Sequence, residues 1–457
     1  MGNQPASIIE RAFRRLIPGG REAVTGRYAS NHVLSVREDL PESDLEIVKQ
    51  WIDDCLAENG GQVAARNRAA MLGMAYLQLS EVGRVRFLGL LAEQYGVAEH
   101  QVEASIEAWR RASGTPRVTA AAALRKVLEP PRTRLLRQFN GVPAGVKFLV
   151  DMRAEILGLR KEHPSLEPLA AELQDLLATW FDVGLLQLEE ISWSSSAALL
   201  EKLIAYEAVH AIKSWSDLKN RLDSDRRCFA FFHPNMPDEP LIFVEVALVN
   251  GLASNVQKLL DEDAPTQDID LADTAIFYSI SNAQKGLSGI SFGNFLIKQV
   301  VKKLQEEFPR LKQFATLSPI PGFCRWLAGI SAKELSELPG GPEWLNMPPP
   351  RSAERLAEEG ADAAQADVLT RLAATYLCLA KRSNDKALDP VAHFHLSNGA
   401  QVTRINWLAD TSEKGFKQSA GMMVNYLYEI PKIEQRSNRY LTTGAVAKSA
   451  VIKRLLK

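Results

Sequence analysis

An α+β chain, with an all-α helical bundle first and a mixed β-sheet domain after it, is the architecture that three observations predict. Across residues 1–180 apolar side chains recur at three-four spacing, the period of a helix with one buried stripe. Beyond residue 181 come short runs rich in β-branched and aromatic residues, such as RRCFAFFHP, PLIFVEVAL and DTAIFYSIS, bounded by proline and polar turns. Between the last of these and the run KQFATLS stand a glycine loop and one amphipathic helix, the order of a β-α-β unit. The expected domains are therefore a helical one, 1–180, and a sheet domain, 181–457.

In the helical half, SDLEIVKQWIDDCLAENGG is representative. Ser43 is placed to cap, the stripe runs through Leu45, Val48, Trp51, Ile52, Cys55 and Leu56, and Gly60-Gly61 supplies a stop. Similar patterns fill AAMLGMAYLQLSEVGRVRFLGLLAEQYG, TAAAALRKVLEP, KFLVDMRAEILGLRKEH and LAAELQDLLATWF, broken at Pro130-Pro131 and by GVPAG. Amphipathic helices joined by short turns make a bundle, and without a fixed repeat period they do not make a solenoid. No catalytic constellation stands here; the helical faces suit contacts between subunits.

Composition narrows the functional class. With 46% hydrophobic and 24% charged residues and a net charge of −1, the chain has the balance of a soluble globular protein and no dedicated nucleic-acid surface. Its four cysteines, Cys55, Cys228, Cys324 and Cys378, form no C-x-x-C pair, which fits neither zinc nor a disulfide framework and points to a reducing cytoplasmic setting. No apolar run approaches the ~20 residues that span a bilayer, and no membrane partner is expected. Neither the Arg-rich start, which acidic residues soon follow, nor the terminal RLLK carries a clear address, and Ala6 stands where a myristoylation motif wants Ser or Thr.

Four features of the second half could carry chemistry. In ATLSPIPGF the Pro-x-Pro-Gly turn stops a strand near Ser318 and leaves its hydroxyl at the strand end, where α/β proteins place active groups; satisfying a turn amide is the plainer use of such a serine. The loop QKGLSGISFG opens a helix, so its N–H groups and the positive helix end converge where a phosphate or thioester carbonyl would sit; Gly286, Gly289 and Gly293 permit close backbone approach and Lys285 adds charge. It matches neither the P-loop nor the Rossmann fingerprint, and glycine loops are also ordinary turns. In PVAHFHLSNGA, His393 and His395 on a short strand would face one side, as a metal pair or as one functional imidazole beside a structural one, with Asn398-Gly399 as a tight turn. No third ligand at motif spacing supports a metal. In GMMVNYLYEIP, a strand of alternating exposure, Tyr426 and Tyr428 share a face, as core aromatics or as substrate-orienting hydroxyls. Glu245, inside LIFVEVAL, must face water or have a partner.

Taken together, FFHPNMPDEPLIFVEVAL, TAIFYSISNAQKGLSGISFGNFLIKQVVKKLQEEFPRL, ATLSPIPGF, VAHFHLSNGA and NYLYEIP resemble the malonyl-CoA decarboxylase family, from about Arg226 to the end of the chain and in the family's order. The resemblance implies that the sheet domain is GNAT-like, that is, N-acetyltransferase-like, and that the protein is a homotetramer, a dimer of dimers. It further implies a CoA-binding segment of Ser288, Gly289, Ile290, Ser291, Phe292, Gly293 and Asn294, and catalytic residues Ser318, His395 and Tyr428. Ser291 departs from the animal members, which carry glutamate there. A cytoplasmic, bacterial member is the natural reading.

The implied reaction takes malonyl-CoA to acetyl-CoA and CO2 through a thioester enolate protonated by an active-site histidine. The thioester delocalises the charge, so no cofactor is required; CoA is part of substrate and product. Ser318 would orient the departing carboxylate or relay a proton, His395 would protonate the carbon, and Tyr428 would position the pair. Two alternatives are an acyl-CoA-dependent acyltransferase, which needs an amine acceptor, and a non-catalytic acyl-CoA-sensing scaffold, which needs no proton donor.

Overall fold

A computed structural model describes residues 35–57, 61–290, 293–346 and 363–457. The chain divides into two compact units: residues 1–185 with 233–237 and 284–290, and residues 186–232 with 238–283 and 291–457.

The first unit is helical. Its helices are Glu42–Leu56, Gly61–Gln78, Glu81–Gln94, Glu99–Arg111, Thr115–Val127, Pro131–Phe139, Gly145–Leu159 and Glu167–Trp180. Leu135, Leu136, Phe148, Leu149, Ile156, Leu169, Leu173 and Leu177 are each at most 1% exposed and make the centre of its core. Phe148 anchors it, with its ring 5.6 Å from Tyr76 and 4.9 Å from Phe139. The pair Glu99–Arg111 and Thr115–Val127 differs from the rest, for neither helix buries a single residue.

Two helix boundaries depart from the sequence reading. Pro41, not Ser43, stands at the N-cap of Glu42–Leu56, because the Ser43 hydroxyl bonds Asp44 and receives Arg37 instead of capping. The stop expected at Gly60 lies outside the described residues, the helix ending at Leu56 with Ala57 as C-cap, while Gly61 opens the next helix with φ +86°.

The second unit is built on an eight-stranded mixed sheet. β1 (Gln187–Ile191), β2 (Arg226–Phe232), β3 (Ile242–Val249) and β4 (Thr274–Asn282) pair antiparallel in turn, with a register shift opposite Glu245/Val246. Helix Gly293–Glu307 then leads to β5 (Gln313–Thr316), which lies parallel to β4. β6 (Ser318–Pro319) continues β5 in one register along β8 (Met423–Tyr428), Ala315 facing Leu427 and Ser318 facing Val424. β7 (Gln401–Asn406) covers the other edge of β8. β4 pairs with β5 as far as Phe277 and Thr316, so the strands diverge where Ser318 begins.

The segment around the histidines is the main local correction. Pro390–Ser397 is an α-helix, not a strand. Asp389 caps it, accepting the Ala392 N–H at 2.8 Å, and Pro390 fits the first turn, where its missing N–H costs nothing. Gly399, at φ +80°, closes it: its N–H bonds Leu396 and that of Ala400 bonds His395, the paired bonds of a Schellman stop. Asn398-Gly399 is thus a helix end rather than a hairpin turn. The stripe Ala392, His395 and Leu396 is buried, so the two histidines diverge, and the His393 ring bonds the Tyr440 hydroxyl at 2.9 Å. β8 also differs from its expected alternation, because both of its faces are covered and five of its six residues are buried.

Candidate active site

Strand geometry sets the first wall of the site. Thr316 and Ser318, two residues apart along one extended register, point to the same face, and both are buried. The Ser318 hydroxyl donates to Thr316 Oγ1 at 2.8 Å, and that oxygen also accepts the Tyr426 N–H at 3.2 Å. Asn425 ties the same point down, its side-chain amide donating to the Thr316 carbonyl at 2.8 Å.

The second wall is the histidine helix. His395 Nε2 lies 3.1 Å from Ser318 Oγ, and Nδ1 lies 2.8 Å from the Tyr428 hydroxyl. The imidazole stacks on the Tyr426 ring at 4.5 Å and 25°. Ser318, His395 and Tyr428, three of the residues singled out from sequence, therefore form one hydrogen-bonded line. Since the Ser318 proton goes to Thr316, the line runs from the Tyr428 O–H into Nδ1 and from Nε2–H into Ser318 Oγ. Burial pushes the His395 pKa down to about 3, so the imidazole is neutral at pH 7, and burial pushes the Tyr428 phenol well above its usual range.

Ser318 and His395 line a cavity of about 360 Å³ whose remaining wall is mainly apolar, with Val209, Ile242, Phe277 and Ile280 among its lining residues. Such a space desolvates a charged group except where the serine and the imidazole meet it.

Asp389 fixes the helix that presents the imidazole. It is fully buried; burial raises its pKa against the pull of the Ala392, Gly322 and Val391 N–H groups and the Tyr376 hydroxyl. Gly322, in the turn after Ser318, cannot carry a side chain, since a Cβ would stand 2.1 Å from the Tyr376 hydroxyl.

Residues 284–290 of the glycine loop belong to the helical unit. Arg153 donates to the carbonyls of Gly286 and Ser288, the latter at 2.9 Å, and the Gln174 amide reaches that of Gly289 at 3.5 Å. Gly286 serves packing: a Cβ there would lie 1.8 Å from the Val150 carbonyl. Gly289 takes φ +84°, which favours glycine. Ser291 and Phe292 lie outside the described residues, and Gly293 and Asn294 open helix Gly293–Glu307.

Thr316 and Asp389 were not singled out from sequence, and Tyr426, weighed there as core aromatic or orienting hydroxyl, serves as the surface on which the imidazole stacks. Thr316 had a usable signal, since a hydroxyl two residues before a strand-end serine shares its face. Glu245 has its partner, pairing at 3.0 Å with Arg221, which also grips Asp217 at 2.7 Å. Burial raises the Glu245 pKa to about 8 in spite of that arginine. Among the described residues, no group of three His, Cys, Asp or Glu side chains stands ready to hold a metal.

A neutral imidazole held between two hydroxyls beside an apolar cavity has the chemistry to give or take a proton there. The chain belongs to the malonyl-CoA decarboxylase family, a family of carboxy-lyases: the model of the family's C-terminal domain matches residues 184–457 and that of its N-terminal domain residues 95–181. The mitochondrial malonyl-CoA decarboxylase of Rattus norvegicus is 37% identical over 399 residues, covering 81% of each chain. The solved malonyl-CoA decarboxylase of Rhodopseudomonas palustris is 38% identical with a TM-score of 0.80, covering 90% of this chain and 99% of that one. That of Cupriavidus metallidurans is 41% identical with a TM-score of 0.72, covering 90% of this chain and all of that one.

Proposed function

We propose that malonyl-CoA loses its carboxylate against the Ser318–His395 pair, leaving a thioester enolate that His395 protonates to acetyl-CoA. The observation that carries this reading is the line Ser318–His395–Tyr428 beside the apolar cavity. Breaking the bond to the carboxyl carbon releases CO2 and passes its electron pair into the thioester; the carbon then takes one proton, so each turnover consumes one.

The imidazole is neutral before substrate arrives. A malonyl carboxylate brought into the cavity supplies an opposite charge, and opposite charge favours the imidazolium. The proton is then in place when CO2 departs. In that form both ring nitrogens donate, Nε2 towards Ser318 and the substrate, Nδ1 towards Tyr428, whose rotating hydroxyl turns from donor to acceptor. Ser318 orients the carboxylate, and Tyr428 holds the ring. Because the thioester itself spreads the developing charge, the reaction calls for no cofactor beyond the CoA carried by the substrate.

Residues 288–294 are assigned to CoA. The glycine backbone at Gly289 and the start of a 15-residue helix at Gly293 support that assignment, since helix N-termini attract phosphate. Residues 181–457 are read as the N-acetyltransferase-like catalytic domain and residues 1–180 as the oligomerisation domain. The helices Glu99–Arg111 and Thr115–Val127, which have no fully buried residue within the chain, suit the homotetramer. A cytoplasmic location accords with four unpaired cysteines; among the described residues no helix is long and apolar enough to cross a membrane.

The test is incubation of the purified protein with malonyl-CoA alone. Equimolar CO2 and acetyl-CoA, with one proton consumed per turnover and no effect of an added amine, is the expected result. Turnover that requires an amine acceptor would instead make it an acyltransferase.

A further inference from the structure

A second cavity, of about 510 Å³, lies within the sheet unit and has a different character. Three elements converge on it. Helix Ile433–Thr443 presents Gln435, Arg436 and Arg439, which share one face by their spacing. The segment before the last helix, bonded to β7 through Val402 N–H and the Ala447 carbonyl, presents Lys448. Helix Ala450–Leu455 adds Lys453.

Four of the nine lining side chains are cations and none is a carboxylate. Arg436 donates through Nη2 to Glu429 at 2.9 Å and to Gln401 at 3.2 Å, while its Nη1 is buried without a partner. Arg439, Lys448 and Lys453 have no carboxylate within ion-pair distance among the described residues. Three of the four cations thus stand without counter-charge and repel one another, an arrangement that a bound anion would relieve. The charge of Lys448 is felt beyond the cavity, for it lowers the pKa of its neighbour Lys381, whose own burial is the larger cause.

We propose that this cavity binds a phosphate-bearing small molecule of two or more negative charges. Guanidinium groups give phosphate paired N–H donors in fixed geometry, lysines add point charge, and the Gln401 and Gln435 amides can meet a polar remainder. The volume is that of a small-molecule pocket rather than a single-ion site. Two sources share this chemistry: the phosphorylated nucleotide end of CoA itself, or a separate phosphorylated metabolite.

The test is titration of pyrophosphate into the full-length protein at 0.1 M NaCl, followed calorimetrically, with and without saturating CoA. Saturable binding at one site per chain is expected, weakened at least tenfold in the double variant Arg439→Gln/Lys448→Gln and retained in Lys448→Arg. Circular dichroism and melting temperature verify that the variants fold. If binding persists in the presence of CoA and the KM for malonyl-CoA is unchanged in the double variant, the ligand is a separate metabolite. If CoA displaces pyrophosphate and the variant raises that KM, the ligand is the nucleotide end of CoA. No saturable binding, or binding that the double variant leaves unchanged, overturns the proposal. Loss of oligomeric state in the double variant without pyrophosphate binding to the parent protein does the same, and assigns the groove to a neighbouring copy.

Discussion

The Tyr428 hydroxyl lies 2.8 Å from Nδ1 of His395, on the opposite side of the ring from Ser318. Among the described residues it is the one polar partner of Nδ1, and it keeps Nε2 turned towards the cavity. Tyr428→Phe removes that bond and little else. An orienting hydrogen bond worth about 1.5–3 kcal/mol corresponds to a kcat lowered roughly 10- to 100-fold. KM for malonyl-CoA should stay within about threefold, since the phenol is assigned no contact with CoA. Steady-state kinetics decide it; an unchanged kcat would leave Tyr428 a core aromatic.

Ser318 is held by Thr316 as firmly as by His395. Ser318→Ala should cost kcat roughly 10²- to 10⁴-fold, the range of a positioned acid–base partner, while CoA binding measured by calorimetry persists. Thr316→Val tests the support behind it: the buried Tyr426 N–H loses its acceptor, which should cost about 1–3 kcal/mol in urea unfolding. Equal stability of Thr316→Val and the parent would show that this N–H has another partner.

Glu245 makes stability depend on pH in a defined direction. Its folded pKa is raised from 4.5 to about 8, so between those values the folded protein binds the proton more tightly than the unfolded chain. That contribution is complete below pH 4.5 and is lost as pH rises through about 8. Glu245→Gln, which keeps a hydrogen-bonding group for Arg221, should flatten this component of the fall between pH 5 and 8. Urea midpoints at several pH values measure it, and identical slopes in the two proteins would contradict it.

Gly286 separates packing from binding in the glycine loop. Gly286→Ala forces a methyl against the Val150 carbonyl, a rigid backbone neighbour, and should destabilise the protein by about 1–3 kcal/mol. A melting temperature equal to that of the parent would show that the loop is not packed there.

Much of this was legible in the chain because local and global signals agree. Proline turns, β-branched runs and the helix between β4 and β5 each pointed to the element that forms. The sheet's order was harder to read: β8 arrives late in sequence yet inserts between β6 and β7, and no local pattern records such a crossover. HFH was misread because a five-residue alternation weighs less than its flanks, the Asp389-Pro390 start and the Asn398-Gly399 stop. Ser318 and His395 stand 77 residues apart, so their contact belongs to the tertiary fold; the family resemblance, not periodicity, joined them in advance. Of the basic cavity, Lys448 and Lys453 stand in a basic C-terminal run that reads as a solvated helix face, and Arg436 and Arg439 come from a separate element at no motif spacing.

In the proposed reaction His395 delivers the proton that replaces CO2. This step is tested most directly by measuring CO2 release from malonyl-CoA by purified His395→Gln, beside the parent protein and with CoA affinity measured on both. Turnover should fall by roughly 10²-fold or more, with CoA affinity little changed. Near-parental turnover in the folded variant would contradict it.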